Sequence, residues 1–253
     1  MIPPLLLSIG LCVAMLGFSQ LGYRVGLRQH AATHSSAQVG VIEGAIFGLL
    51  GLLLGFTLQS SMLHLDEKRL LIVQEANAIG TAYLRVDLLD HSDQPEMRRL
   101  FRSYLEARLH VYDTVETGGD PQQAITQTLR WQQQIWTKAI ESRHSESTQV
   151  SAGLVIRALN DMIDVTAART FASRTKLPAL IITLLFGAAI VSAMIIGYAM
   201  ARQKHLSAVY ALAFSLIISA TIYTLLDLDN PRFGLIRLDA AEQTLRELHD
   251  SIP

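Results

Sequence analysis

Val39–Leu63 reads VGVIEGAIFGLLGLLLGFTLQSSML. Only Glu43 interrupts it with a charge, and its length suffices to cross a hydrocarbon core of about 30 Å at about 1.5 Å per helical residue. Gly44, Gly48, Gly51 and Gly55 follow one another at steps of four, three and four. Those steps put all four on one stripe of a helix, and in lipid a stripe of small residues lets a second backbone approach closely. A glycine costs about 1 kcal/mol of helix stability in water, so a row of four calls for a reason. Two readings fit. The helix lines a symmetric centre or pore, or the stripe packs against another span of its own chain. Leu54, Phe56 and Leu58 are candidates for an apolar constriction that gates by dewetting. Glu43 also carries two readings: an intramembrane acid that binds a cation or titrates, or an interfacial carboxylate, hydrated or within reach of Arg28.

Three further segments, Ile2–Tyr23, Leu177–Met200 and Leu206–Leu226, contain no Asp, Glu, Lys or Arg. The chain holds 43 such residues, 21 basic and 22 acidic, yet only Glu43 falls within the four apolar segments. A charge at the bilayer centre costs several kcal/mol, so segments this clean indicate membrane spans rather than soluble core. The first lacks a basic leader region and its apolar stretch is too long for a signal peptide, so it is expected to be retained. A net charge of −1 offers no basic surface for nucleic acid. The single cysteine, Cys12, excludes an intrachain disulfide and a cysteine zinc site.

Between spans two and three the character changes. Acids and bases are mixed, and apolar residues recur at helical spacing: Ile72, Ala76, Ile79, Tyr83 and Val86, then Leu100, Tyr104, Leu105, Leu109 and Tyr112. Ser92 or Asp93 precedes Pro95 and Glu96, as at a helix start. Gly118-Gly119 ends that helix, Asp120-Pro121 opens the next, and the polar run Glu141–Thr148 separates it from a helix over about Val150–Arg174. No break stands between Leu63 and Asp87, so span two is expected to leave the bilayer as one long rod. The last soluble helix is expected to lead into span three, with Pro178 at the junction. These readings define an all-α membrane protein. Its parts are a hairpin of spans one and two (1–63), a helical bundle outside the bilayer (64–176), a second hairpin (177–226) and a tail (227–253).

Glu75, Asn77, Arg85 and Asp87 lie on the rod; Arg157, Asn160, Asp161, Asp164 and Arg169 lie late in the bundle. They form either buried interhelical ion pairs, which set register more than they add stability, or a ligand or ion site just outside the membrane. The ion-pair reading expects Glu75 or Asp87 to meet a base such as Arg85 or Arg157. Asp227, Asp229 and Asn230 supply oxygens but lack the distal bidentate Glu of a calcium loop, so they read as a helix-ending turn and no metal site is assigned. No nucleophile elbow, phosphate loop or His-Glu-x-x-His pattern occurs. No catalytic residue, enzyme activity or cofactor is therefore expected.

Leu54-Gly55-Phe56, Asp66–Arg69, Glu75–Arg85 (EANAIGTAYLR), Ala158–Asp164 (ALNDMID), Leu177-Pro178 and Leu228–Arg237 (LDNPRFGLIR) resemble the bacterial bestrophin-like membrane family of unknown function. The likeness covers nearly the whole chain. It implies a multi-pass protein of the bacterial inner membrane, with lipid and further copies of itself as partners. True bestrophins are more distantly similar: pentameric anion channels whose second span forms an apolar neck and continues into a helical cytosolic domain. Two features depart from that pattern. Leu70-Leu71 stands where bestrophins carry aromatic residues after the arginine, and the acidic calcium clasp is not recognisable. The leading expectation is an oligomeric anion channel with span two innermost. Its rival is a non-conducting signalling or scaffold protein whose helical domain binds a partner or ligand. A transporter would need more spans or polar midplane residues. Orientation is not set: Arg24, Arg28, Arg202 and Lys204 in the short turns oppose Lys68, Arg69, Arg169, Arg174 and Lys176 on the domain side.

Overall fold

The structure, a computed structural model, describes residues 4–30, 37–142, 146–201, 207–229 and 239–252. These form α1 (Pro4–His30), α2 (Ala37–Leu84), a 3-10 turn (Arg85–Leu88), α3 (Gln94–Glu116) and α4 (Gln122–Glu141). Then follow α5 (Glu146–Arg174), α6 (Ala179–Ala201), α7 (Ala208–Asp229) and α8 (Asp239–Ser251), with no strand among the described residues. The chain divides into two compact units, Met1–His64 with Lys176–Leu235, and Leu65–Thr175 with Ile236–Pro253.

The first unit holds the four helices long and apolar enough to cross a membrane: α1, the first half of α2, α6 and α7. Leu11 and Met15 of α1, Leu50 and Leu54 of α2, Leu185, Ala189 and Ala193 of α6, and Ile218, Ile222, Leu225 and Leu226 of α7 make its core. The tightest seam joins α1 to α6. A Cβ on Gly22 would strike the carbonyl oxygen of Met194, and one on Gly197 the carbonyl oxygen of Ser19. One on Gly26 would lie 2.6 Å from Ala201 Cβ and 2.9 Å from the Tyr198 carbonyl oxygen. Glycine is required where two helix backbones come this close. Several polar side chains in the spans turn back on the chain: Ser8 donates to the Pro4 carbonyl at 2.9 Å, Ser19 to Leu16 at 2.8 Å and Thr57 to Leu53 at 2.7 Å. Hydrocarbon offers no other acceptor.

Three expectations change here. α1 continues past Tyr23 to His30, so Arg24 and Arg28 ride on its last turns instead of in a loop. Arg202, Lys204 and Asn230 lie outside the described residues. α5 stops at Arg174 and does not lead continuously into α6. Pro178 has no N–H and disfavours helical backbone at Leu177, and the Leu177 amide donates instead to Asp229 Oδ1 at 2.9 Å. Finally, the tail contains α8, which belongs to the second unit.

That second unit is a helical bundle. Ile72 and Ile79 of α2, Met97, Phe101, Tyr104 and Leu105 of α3, Ile135 of α4, and Leu159 and Met162 of α5 are all at most 1% exposed. Of the residues expected inside from their spacing, Leu109 alone is only half-buried. Gly118, at φ +76°, ends α3, and the Gly119 amide bonds the Thr114 carbonyl at 2.8 Å. Such a left-handed residue after a helix suits glycine. Asp120 Oδ1 then accepts from the Gln122 amide at 3.0 Å as α4 begins. α8 docks through fully buried Leu245, an Arg246–Asp113 ion pair at 2.6 Å and a bond from Arg102 to the Ile252 carbonyl at 3.0 Å.

Candidate functional site

The membrane half of α2 has two unlike sides. Leu50, Leu54 and Thr57 are buried, and Leu53 and Leu58 pack on the same core. On the other side Gly44, Gly48, Gly51 and Gly55 are exposed, and a Cβ on any of them would meet nothing within 4 Å. Among the described residues the stripe therefore does not pack against the chain's own spans; the glycines so used are Gly22, Gly26 and Gly197. Nor do Leu54, Phe56 and Leu58 form one ring. Leu54 and Leu58, one turn apart, face inward, while Phe56 is 67% exposed about half a turn away. Phe56 is exposed like the glycines, but it lies about 100° round the helix from Gly55. Glu43 is half-buried.

The polar residues converge in the second unit, around one carboxylate. Glu75 lies in register with Ile72 and Ile79 on the buried side of α2, and it is fully buried. Arg108 Nη2 of α3 approaches its Oε1 at 2.5 Å, and Arg169 Nη1 of α5 bonds Oε2. The Tyr112 hydroxyl donates to Oε2 and the Thr166 hydroxyl to Oε1, both at 3.1 Å. Because Thr166 spends its proton on Glu75, Tyr104 donates to Thr166 Oγ1 at 3.1 Å. Arg108 Nη2 also donates to the Tyr112 oxygen at 2.9 Å, and the Arg169 guanidinium stacks 4.1 Å from the Tyr112 ring centroid.

Electrostatics follow from that geometry. Burial alone pushes the Glu75 carboxyl up. The guanidinium charges of Arg108 and then Arg169, with bonds from Arg169 and Tyr112, outweigh it and hold Glu75 below the ordinary carboxylate value. Burial pushes Tyr104 up to about 12, although Arg108 pulls the other way, and Tyr112 is raised too, first by burial and then by Glu75. Near neutral pH the cluster therefore holds one carboxylate, two guanidiniums and two neutral phenols. Its net charge is +1.

The partners expected for these acids are corrected. Arg85 donates to the Leu154 carbonyl at 2.8 Å, and Arg157 is exposed. Asp87 is exposed and pairs with Arg98. Asn77, Asn160, Asp161 and Asp164 are exposed as well. Arg85 follows Glu75 by ten residues, in the 3-10 turn just past the end of α2 and about 15 Å further along, so it is out of reach. Arg108 went unnoticed, though a signal was present: it falls one turn from both Tyr104 and Tyr112, squarely in the apolar register of α3. Arg169 sits likewise in register with Met162 and Thr166. A base in a core register is what a buried acid needs. No group of three or more metal-ligating side chains occurs among the described residues.

Four helices long and apolar enough to cross a membrane, with a helical bundle inserted between the second and third, define the class: an all-α membrane protein. Residues 9–241 match the model of the bestrophin-like domain, and the chain belongs to the bestrophin-like family. No curated relative matches it in sequence. Among solved structures it is similar to a variant of a bacterial bestrophin homologue from Klebsiella pneumoniae, at 17% identity and a TM-score of 0.69 over 95% of this chain and 99% of the other. A second variant of that homologue aligns at 16% identity and a TM-score of 0.70, over 95% and 98%. At these identities the likeness is one of fold.

Proposed function

We propose that the protein is an oligomeric channel of a bacterial inner membrane that passes small anions, with copies of α2 around a shared centre and residues 64–176 outside the bilayer. One observation carries this reading: the glycine face of α2 is left open by the described residues of its own chain. A crowded symmetric centre requires such a face, because only glycine lets several backbones approach it together. Phe56, exposed about a quarter turn round the helix from Gly55, supplies an apolar gate that closes by dewetting. Membership of the bestrophin-like family supports a channel over an enzyme. Glu43, half-buried and off the glycine stripe, is the one acid of the α2 span, so no acid stands among the glycines themselves, which favours anions over cations. The chain's partners in this reading are lipid and further copies of itself, and no nucleic acid.

The test is anion flux from liposomes carrying purified protein, with the assembly imaged in parallel. A ring assembly should pass chloride, and Phe56→Ala should raise the flux several-fold. An intact ring without flux in either protein overturns the reading.

A further inference from the structure

Several polar residues of the second unit take no part in the Glu75 cluster. Arg157, Asn160, Asp161 and Asp164 lie on the exposed side of α5 and Asn77 on that of α2. None of their side chains has an ion pair or hydrogen bond among the described residues. From Val150 to Phe171 the exposed residues of α5 recur at steps of four and three, so they form one stripe. Those of α2 do the same from Leu70 through Val73, Asn77 and Thr81 to Leu84, and Leu88 follows in the 3-10 turn. Both stripes are apolar at their two ends and polar between. Val150 and Phe171 are each 74% exposed and Leu84 70%, and large apolar side chains left open together mark a surface that meets a partner.

Two contacts fix how the stripes align. Thr166 of α5 bonds Glu75 at 3.1 Å, and Arg85 bonds the Leu154 carbonyl at 2.8 Å, so α5 runs antiparallel to α2. At about 1.5 Å per residue, Leu70 and Val73 then stand level with Phe171 and Ala168. Asn77 and Thr81 stand level with Asp164 and Asn160, and Leu84 and Leu88 with Leu154 and Val150. The chemistry matches as well as the height. The α5 stripe offers the carboxylates of Asp161 and Asp164, while between Glu67 and Asp87 the only acid of α2 is the buried Glu75. The Asn77 amide and the Thr81 hydroxyl therefore present donors with no acid beside them on that stripe. Lipid cannot cover the far ends, because Leu84 lies about 30 Å along α2 from Leu63. A second α5 at the same level would set acid against acid, which is costly. α2 runs as one helix from its apolar half into this unit, so copies side by side in one membrane keep the same levels.

We propose that the second units of neighbouring copies dock on one another, the α2 stripe of one copy against the α5 stripe of the next. Apolar level meets apolar level at both ends, and between them Asn77 and Thr81 of one copy donate to Asp164 and Asp161 of its neighbour. The two faces differ, so the contact is head-to-tail and each copy keeps one face for a further neighbour, as a ring requires. The inference rests on the assembly of copies in the channel reading and not on conduction.

The experiment is disulfide trapping between two single-cysteine forms of the full-length chain, tagged differently, produced together and oxidised in the membrane, with Cys12→Ser in both. Because each chain carries one cysteine, no bridge can form within a copy, and a bridge between copies reports close approach. Leu84→Cys with Leu154→Cys, and Leu70→Cys with Phe171→Cys, should each give mixed dimers. The crossed pair, Leu84→Cys with Phe171→Cys, should give several-fold fewer, and each variant produced alone should give none. All four positions are exposed, so the core is untouched. Dimers from Leu84→Cys alone would put α2 against α2, and dimers from Leu154→Cys alone would put α5 against α5; either overturns the proposal. So does a crossed pair that bridges as readily as the matched ones. The mass of the intact assembly, measured on the same membranes, separates this interface from the channel reading. Matched pairs that give no mixed dimer in an intact assembly overturn the interface alone, whereas a chain that does not assemble overturns both.

Discussion

α2 is one helix with two kinds of surroundings. From Leu65 to Tyr83 its own unit encloses it: Leu65, Ile72, Glu75, Ala76, Ile79, Ala82 and Tyr83 are all buried. From Gly40 to Leu63 it is barely covered, with 11% of its most apolar 18 residues buried, against 28%, 22% and 39% for the spans in α1, α6 and α7. The first unit's tight seam instead joins α1 to α6. The contrast separates two kinds of information. A carboxylate in an apolar register must be answered within its own fold, because leaving it unpaired costs too much. A glycine stripe says only that a backbone can come close, and it leaves open whose backbone that is.

The largest effect expected on this contrast is at the enclosed end. Glu75→Ala leaves Arg108 and Arg169 without a counter-charge and should cost about 3–5 kcal/mol, read as a lower denaturation midpoint of the purified protein. A loss under about 1 kcal/mol would mean that the arginines find other partners and that the bundle does not depend on the pair. The same cluster sets limits in pH. Glu75 titrates lower in the folded protein than in the unfolded chain. Its stabilisation is therefore full above the ordinary carboxylate value and drains away as pH falls through the lowered one. Tyr104, held at about 12, acts at the opposite end: its contribution is full below about pH 10 and is lost toward pH 12. Stability measured against pH should fall at both ends, and Tyr104→Phe should flatten the alkaline fall.

Much of this was legible in the residues, and the misses have physical causes. Freedom from charge marked the spans because lipid tolerates so little charge. The bundle's core was readable wherever helical spacing was clean, as in Ile72, Ala76 and Ile79. Glu75 stood out as an acid in that register, but its partners lie 33 and 94 residues further along the chain, and local spacing cannot say which distant helices meet. The pattern that would have named them is the same one, read for bases: Arg108 between Tyr104 and Tyr112, and Arg169 after Met162 and Thr166. The glycines misled differently. Gly22 and Gly26 are a shorter row than Gly44 to Gly55, yet the short row meets a neighbouring backbone within the chain and the long one does not. α8 was hidden because its apolar residues are few, and its docking rests on Leu245 and two arginine contacts.

A smaller effect, but a sharper one for the comparison, comes from adding one methyl at the filled seam. Gly22→Ala drives a Cβ into the Met194 carbonyl, which belongs to a helix backbone and cannot rotate away. Overpacking of this kind costs about 1–3 kcal/mol, and Gly197→Ala should behave alike against Ser19. Thermal unfolding in detergent reads the loss. An unchanged midpoint in both variants would mean that α1 and α6 separate without penalty, and the seam would not be what holds the unit together.

The same methyl on α2 should do the reverse. At Gly51 a Cβ meets nothing in its own chain, and alanine is favoured over glycine within a helix by up to about 1 kcal/mol. Gly51→Ala should therefore leave protomer stability unchanged or slightly raised, where Gly22→Ala lowers it. The bulkier Gly48→Leu then asks what the open face is for. If copies of α2 crowd around a shared centre, a leucine side chain there blocks their approach, and the assembly should loosen or change its subunit number while each protomer keeps its fold. Mass measurement of the intact assembly, set beside circular dichroism of the same sample, separates the two effects. Protomer and assembly both untouched by Gly48→Leu would put lipid, and not a second copy, against the glycine face, and the difference between the two halves of α2 would mark only where the bilayer begins.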